Sequence, residues 1–146
     1  MIKAVIIDDE QNCVEMLEWL LKTYCPMVQI VAMCNSGEQG IEAIMKHRPE
    51  VVFLDIEMPR MNGFDMLEKF EHLFFDVVFT TAYNKFAIKA FRYSALNYLL
   101  KPVDPDDLQS TIKKLEEKQT AIKKNKYSAF NHFLKGNIEY IKITPD

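Results

Sequence analysis

A chain of 146 residues, 49% hydrophobic and 27% charged, has the composition of an ordinary globular protein and room for one full domain with a short remainder. Its formal net charge of -3, from 18 basic and 21 acidic residues, argues against a dedicated nucleic-acid surface, and no apolar run approaches the roughly 18–20 residues of a membrane span. Cys13, Cys25 and Cys34 form an odd set without metal-ligand spacing, which fits buried thiols in a reducing cytosol better than a disulfide framework; acids arrive before any signal-peptide pattern develops, so a cytoplasmic location is expected.

The first strand is expected at 3–8, "KAVIID", followed by a helix near 11–24 whose Val14, Leu17, Leu20 and Leu21 share one stripe. A second strand covers 28–33. The second helix, near 37–47, opens with Ser36 and Gln39 at capping-box spacing and is stopped by Pro49. The third strand, "VVFLD" at 51–55, turns into "IEMPRMNG", where Pro59 restricts the loop and Gly63 is expected to permit a backbone angle that other residues resist. A third helix at 64–72 and a strand at 76–80 come next. The fourth helix, 84–92, is given Phe86, Ala87, Ala90 and Phe91 as its inward face. After a fifth strand at 96–100, "DPDDL" opens the fifth helix, with Asp104 as N-cap, Pro105 in the first helical position and Asp107 near the positive end of the dipole. That helix is expected to reach about 123. Alternating strands and helices predict an α/β fold, a doubly wound five-stranded parallel sheet with helices on both faces, and the strand order is expected to be of the flavodoxin-like 2-1-3-4-5 type.

In such a sheet ligands bind beyond the carboxyl ends of the strands. "VIIDDE" delivers Asp8 and Asp9 there, and "VFLD" delivers Asp55. Taken singly, strand-end acids serve equally well as caps or as solvated edge residues. Together they repel one another and call for a shared cation, and magnesium suits oxygen ligands that include few carboxylates and a phosphate. "VVFTTAY" adds the hydroxyls of Thr80 and Thr81, and "NYLLKP" adds the ammonium of Lys101. A metal, a hydroxyl and an ammonium are fitting partners for the oxygens of a phosphoryl group, so Asp55 reads as a nucleophile that forms an acyl phosphate.

The chain resembles a response-regulator receiver domain of two-component signalling. The likeness covers about residues 1–122 and is carried by "DDE" at 8–10, "LDIEMPRMNG" at 54–63, "FTTAY" at 79–83 and "YLLKP" at 98–102. It implies that Asp55 accepts phosphate from a sensor histidine kinase. Asp9 and Asp55 would bind Mg2+ directly, Asp8 mainly through water, and the backbone carbonyl of Glu57 would supply another ligand. Lys101 would contact the phosphoryl group, with a cis peptide between Lys101 and Pro102. Thr81, which directly precedes Ala82, matches the switch hydroxyl and Tyr98 the switch aromatic; phosphate would draw Thr81 inward and turn Tyr98 from exposed to buried. A homodimer through the fourth helix, fifth strand and fifth helix is implied as well, with Lys85, Lys89 and Arg92 facing Asp104, Asp106 and Asp107 across a two-fold axis.

Within the family, "FTTAYNKFAIKAFRYSALNYLLKP" is most similar to receivers attached to LytTR-type DNA-binding domains. The expected organisation is a receiver over 1–122, a linker over 123–136, and the start of a LytTR-type effector over 137–146, where "NIEYIKITPD" alternates like a strand. Ten or so residues cannot bury a core, so DNA would be reached only through a missing C-terminal domain. Two other classes compete. Aspartate-nucleophile phosphohydrolases place a second acid two residues on, as Glu57 stands here, but the small size and the "DD" pair on another strand argue for a receiver that modifies only itself. A pseudo-receiver acting purely as an interaction module would usually have lost Asp55, Lys101 or an acid of the pair, and all are present; a stand-alone receiver with a short appendage is the alternative to a fragment of a longer regulator.

Overall fold

The structure, a computed structural model, describes residues 1–140, with side chains through residue 135. The chain divides into two compact units, Met1–Ile112 and the remainder from Lys113. Strands β1 (Ile2–Ile7), β2 (Val28–Cys34), β3 (Val51–Asp55), β4 (Asp76–Thr81) and β5 (Asn97–Leu100) form a parallel sheet in the order β2-β1-β3-β4-β5, with helices on both faces, as the sequence predicts. The helices are α1 (Gln11–Tyr24), α2 (Gly37–His47), α3 (Gly63–Leu67), α4 (Ala87–Phe91) and α5 (Pro105–Tyr140).

β3 lies at the centre, and all five of its residues are buried, which is why it reads as an unbroken apolar run ending in one acid. One alternation of the sheet, Val5 and Ile7, Val52 and Leu54, Val77 and Phe79, packs with Ile44, Phe64, Met66 and Ala90 from α2, α3 and α4. The other, Ala4, Ile6, Phe53 and Val78, is equally buried. Burying a side chain as large as Phe53 contributes roughly 1.5–3 kcal/mol. The predicted α1 stripe of Val14, Leu17, Leu20 and Leu21 is buried in full.

The caps follow the sequence with two changes. Ser36 Oγ accepts from Gln39 N at 3.2 Å, but Gln39 Oε1 takes the amide of Asn35 instead of that of Ser36, so the box is half formed. A complete box forms where none is predicted: Asn62 Oδ1 accepts from Asp65 N at 2.8 Å and Asp65 Oδ2 from Asn62 N at 3.1 Å. Asp104 caps α5 as expected, its carboxylate accepting from Asp106 N at 2.7 Å.

Three helices differ from the sequence expectation. α3 stops at Leu67, not 72, because the chain beyond it turns to gather Phe70, Phe74 and the buried Phe75 edge to edge, with Arg48 stacked 3.7 Å over Phe74. The segment 84–92 splits into a 3-10 turn, Asn84–Phe86, and the short α4; Ala90 is buried and Phe86 half-buried, but Ala87 is exposed and Phe91 is 85% exposed. The phase change at the turn rotates Phe91 outward. α5 continues past 123 to Tyr140, through the stretch read as linker, since "KKLEEKQTAIKKNK" is rich in helix formers and meets no glycine before Gly136. Residues 137–140, given to a strand above, are helical, and the rest of that call, 141–146, lies outside the described residues.

Gly63 corrects a further expectation. Among the described residues no glycine has positive φ; the left-handed positions there are held by Arg48, Arg60 and Ser94. Gly63 is required by closeness, because a Cβ there would stand 2.6 Å from the carbonyl oxygen of Asp55 and 3.2 Å from the Cα of Ile56. The amide of Gly63 donates to the Ile56 carbonyl at 2.8 Å, closing the loop back on the strand end. Gly63→Ala is therefore expected to cost about 1–3 kcal/mol, read as a lowered midpoint in denaturant unfolding; an unchanged midpoint would mean that the loop relaxes freely.

Candidate functional site

Alternation along neighbouring strands selects the site. Ala4 and Ile6 in β1 lead on the same face to Asp8; Val51 and Phe53 in β3 lead to Asp55; Val78 in β4 leads to Thr80; Leu99 in β5 leads to Lys101. Asp8 and Asp55 are each 3% exposed. Lys101 Nζ lies 2.7 Å from Asp8 Oδ2 and 3.5 Å from Asp55 Oδ1, and its amide donates to the Thr81 carbonyl at 2.8 Å. The Lys101–Pro102 peptide is cis. Asp9 completes the group: one carboxylate oxygen each of Asp8, Asp9 and Asp55 lie within 4.8 Å of one another.

Electrostatics follow from this crowding. Burial first, then the charge of Asp8 and the nearby Asp9, push the Asp55 carboxyl up to about 8, with Lys101 pulling the other way. For Lys101, burial alone would favour the neutral amine, but the hydrogen bond to Asp8 and the charges of Asp55 and Asp8 outweigh it and raise its pKa. Asp8 Oδ1 accepts from the Glu10 amide at 2.9 Å, while Asp9 Oδ1 is buried with no hydrogen-bond partner. An orphaned buried oxygen beside two other carboxylates is a donor set short of a cation, and an all-oxygen set fits a hard divalent ion such as magnesium. Glu57 is exposed, and its carboxylate turns toward Lys85 at 3.9 Å.

Thr81 and Tyr98 occupy the other alternation. Thr81 is fully buried and its hydroxyl accepts from the Tyr83 amide at 3.2 Å. Tyr98 is half-buried, packs against the same core as Phe79, and donates its hydroxyl to the Tyr83 carbonyl. Burial pushes the Tyr98 phenol up, countered by the Phe86 amide and the Thr81 hydroxyl beside it. The predicted switch pair is thus in mutual contact, and Thr80, buried at 3% exposure, sits on the carboxylate side.

Other residues that shape the site are missing from the sequence reading. Asn35, just past β2, donates Nδ2 to the Asp8 carbonyl at 3.1 Å and to Gln11 Oε1 at 3.0 Å, tying the loop after β2 to the loop after β1 and to the start of α1; its one signal is a polar side chain at the same sheet edge. Cys13 is half-buried, unlike Cys25 and Cys34, which are buried as expected. Among the described residues no helix is long and apolar enough to cross a membrane.

The raised Asp55 sets the pH dependence of stability in the metal-free protein. Between the ordinary carboxylate value near 4 and about 8, folded Asp55 keeps a proton that the unfolded chain has released, so stability is greatest below that window, falls as pH rises through it, and levels off above. Thermal melts with chelator from pH 5 to 9 should show this fall, and Asp55→Asn should flatten it and raise stability at pH 8 by about 1 kcal/mol or more, several degrees in Tm for a domain of this size. Parallel curves for both proteins would remove Asp55 as the cause.

The sequence matches the response regulator receiver domain family over residues 4–113. The transcriptional regulatory protein BtsR of Escherichia coli (strain K12) is 41% identical over 122 residues, which are 82% of this chain and 50% of that protein. An uncharacterized response regulatory protein of Vibrio cholerae is 36% identical over 145 residues, 99% of this chain and 58% of its own length. The chain spans about half the length of the curated relatives it matches. Among solved structures, the response regulatory domain of protein mrkE from Klebsiella pneumoniae superposes with a TM-score of 0.71 at 26% identity, covering 79% of this chain and 95% of that one. A receiver domain protein from Clostridium thermocellum shares the fold at a TM-score of 0.74 and 24% identity, covering 84% of this chain and 99% of that one. With a match of that extent and a sheet of the same order, the chain belongs to the family of response regulator receiver domains.

Proposed function

We propose that this receiver is a phosphorylation switch in which Asp55 takes a phosphoryl group from a sensor histidine kinase in the cytoplasm. The observation that carries the reading is the placement of the buried Asp55 carboxylate beside Asp8 and Asp9 and 3.5 Å from Lys101 Nζ. Asp55 Oδ attacks phosphorus, the bond to the donor's imidazole nitrogen breaks, and the imidazole leaves with that electron pair. Lys101, already charged and held by Asp8, is positioned to accept a phosphoryl oxygen as its partner in place of one carboxylate contact. Asp8, Asp9, Asp55 and the Glu57 carbonyl would hold Mg2+, which when bound neutralises charge on the cluster and on the phosphoryl oxygens. The protein modifies itself once per cycle and is not a turnover enzyme.

Phosphoryl oxygens on Asp55 would accept the Thr81 O–H, drawing the hydroxyl away from the Tyr83 amide that now donates to it, and Tyr98, in contact with Thr81, would repack in response. The readout is proposed to be a homodimer through α4, β5 and the start of α5. Ile88, Phe91 and Leu100 are 79%, 85% and 47% exposed there, flanked by Arg92 and by exposed Asp106 and Asp107, a combination suited to an isologous contact. The longer relatives, of which this chain spans about half, include a transcriptional regulator, which supports an output in transcription; the output proposed is a LytTR-type DNA-binding effector, on the likeness of residues 79–102 to receivers of that type.

Incubation with acetyl phosphate and magnesium should add one phosphoryl group to the intact mass, with none on Asp55→Ala or after chelation, and about a hundredfold slower addition to Lys101→Ala. A folded, magnesium-binding protein that gains no mass would refute the acceptor role. Phosphorylated protein should sediment as a dimer, and Phe91→Asp, an exposed position, should abolish that dimer while leaving stability within about 0.5 kcal/mol; a dimer that survives the change lies on another face.

A further inference from the structure

Cys13 stands in the first turn of α1, and the chain folds it back onto the acids before it. Glu10 N donates to Asp8 Oδ1 at 2.9 Å, and Cys13 N donates to the Glu10 carbonyl at 3.0 Å. As a result Cys13 Sγ and one carboxylate oxygen each of Asp8 and Glu10 lie within 4.8 Å of one another. The Glu10 side chain caps nothing in α1. All three residues line a cavity of about 410 Å3, walled by Leu17 and Pro102 and reaching Lys101, which gives an ion a way in.

This donor set differs in kind from the oxygen-only cluster of Asp8, Asp9 and Asp55. One sulfur with two carboxylates selects a borderline-soft or soft cation, and three protein ligands with a water make an ordinary open tetrahedral zinc arrangement. Magnesium, a hard ion, gains nothing from the sulfur. We propose that Asp8, Glu10 and Cys13 form a second cation site, for a thiophilic divalent ion such as zinc, which shares Asp8 with the magnesium cluster. On binding, the thiol releases its proton to solvent and the sulfur takes the metal in its place.

Lys101 is the competitor for this site. Its ammonium sits 2.7 Å from Asp8 Oδ2 and beside the Cys13 thiol, so an ion held by those two groups displaces it. The consequence rests on the function proposed above: without Lys101 in place, the phosphoryl group loses its ammonium partner, and a thiophilic ion restrains phosphorylation through Lys101 instead of through Asp55.

The test uses the full chain in excess magnesium. Titration with Cd2+ should give a one-to-one thiolate-to-cadmium ultraviolet band that Cys13→Ser removes and that Glu10→Gln weakens by about tenfold or more in affinity. A band that persists in Cys13→Ser, or a Glu10→Gln protein that titrates like the wild type as a lone thiol would, overturns the three-ligand site. Zn2+ added to the acetyl phosphate reaction should then lower the mass adduct of the wild type and leave Cys13→Ser untouched; equal loss in both places zinc at the oxygen cluster and overturns the regulatory half. Failure of the acceptor reading itself is separate, since it appears as no adduct on either protein before zinc is added.

Discussion

Lys101 bridges Asp8 and Asp55 across the carboxyl edge of the sheet, and the site depends on that bridge. Two carboxylates a few ångströms apart, each 3% exposed, repel by about 4 kcal/mol at the effective dielectric of a protein surface, and burial adds to the cost of ionising both. The ammonium offsets part of this, and its own charged form is favoured in return. What remains unbalanced is concentrated on Asp55, the most central of the acids, and on the orphaned oxygen of Asp9. A cluster that is short of positive charge is one that responds to a cation, and the chemistry proposed for this receiver grows from that imbalance.

The sheet also separates two tasks by alternation. One side of the strand ends carries Asp8, Asp55, Thr80 and Lys101, the groups that handle charge. The adjacent residue of β4, Thr81, belongs to the other side and meets Tyr98 there. Behind that pair lies an aromatic group in which Phe64 stacks with Tyr93 at 5.2 Å and contacts Phe79 and Phe86. Phe64 follows directly on Gly63, whose missing side chain lets the loop approach the Asp55 carbonyl. The acceptor loop and the surface around α4 are therefore joined by packed rings. Close-packed interiors transmit small displacements poorly as gradual bends and well as discrete repacking, which supports a two-position response to a change at Asp55.

Much of this is legible in the amino-acid sequence. β-branched and aromatic runs that end in acids, hydroxyls or a lysine have only one reading in an α/β alternation: they bury on both faces and end at a polar edge. Strand placement, the α1 stripe, the Asp104 cap and the arrival of Asp8, Asp9, Asp55 and Lys101 at strand ends follow from periodicity and local chemistry, and their convergence follows once the strand order is of the 2-1-3-4-5 type. Sequence by itself determined these features because each depends on residues close along the chain or on the strand order that such a pattern permits.

Tertiary structure decided the rest. Where α3 ends was settled by Phe70, Phe74 and Phe75 finding one another, and the outward turn of Phe91 by the phase of a 3-10 turn; neither has a local signature. Gly63 was legible as important and misread in cause, since a close approach to the Asp55 carbonyl is a distance between segments and a backbone angle is not. The Asn35 tie to Asp8, 27 positions away, and the meeting of Cys13 with Asp8 and Lys101 likewise exist only once the sheet is assembled. Chain patterns specify which groups reach an edge, but the balance of charge and contact there depends on distances that only the folded chain sets.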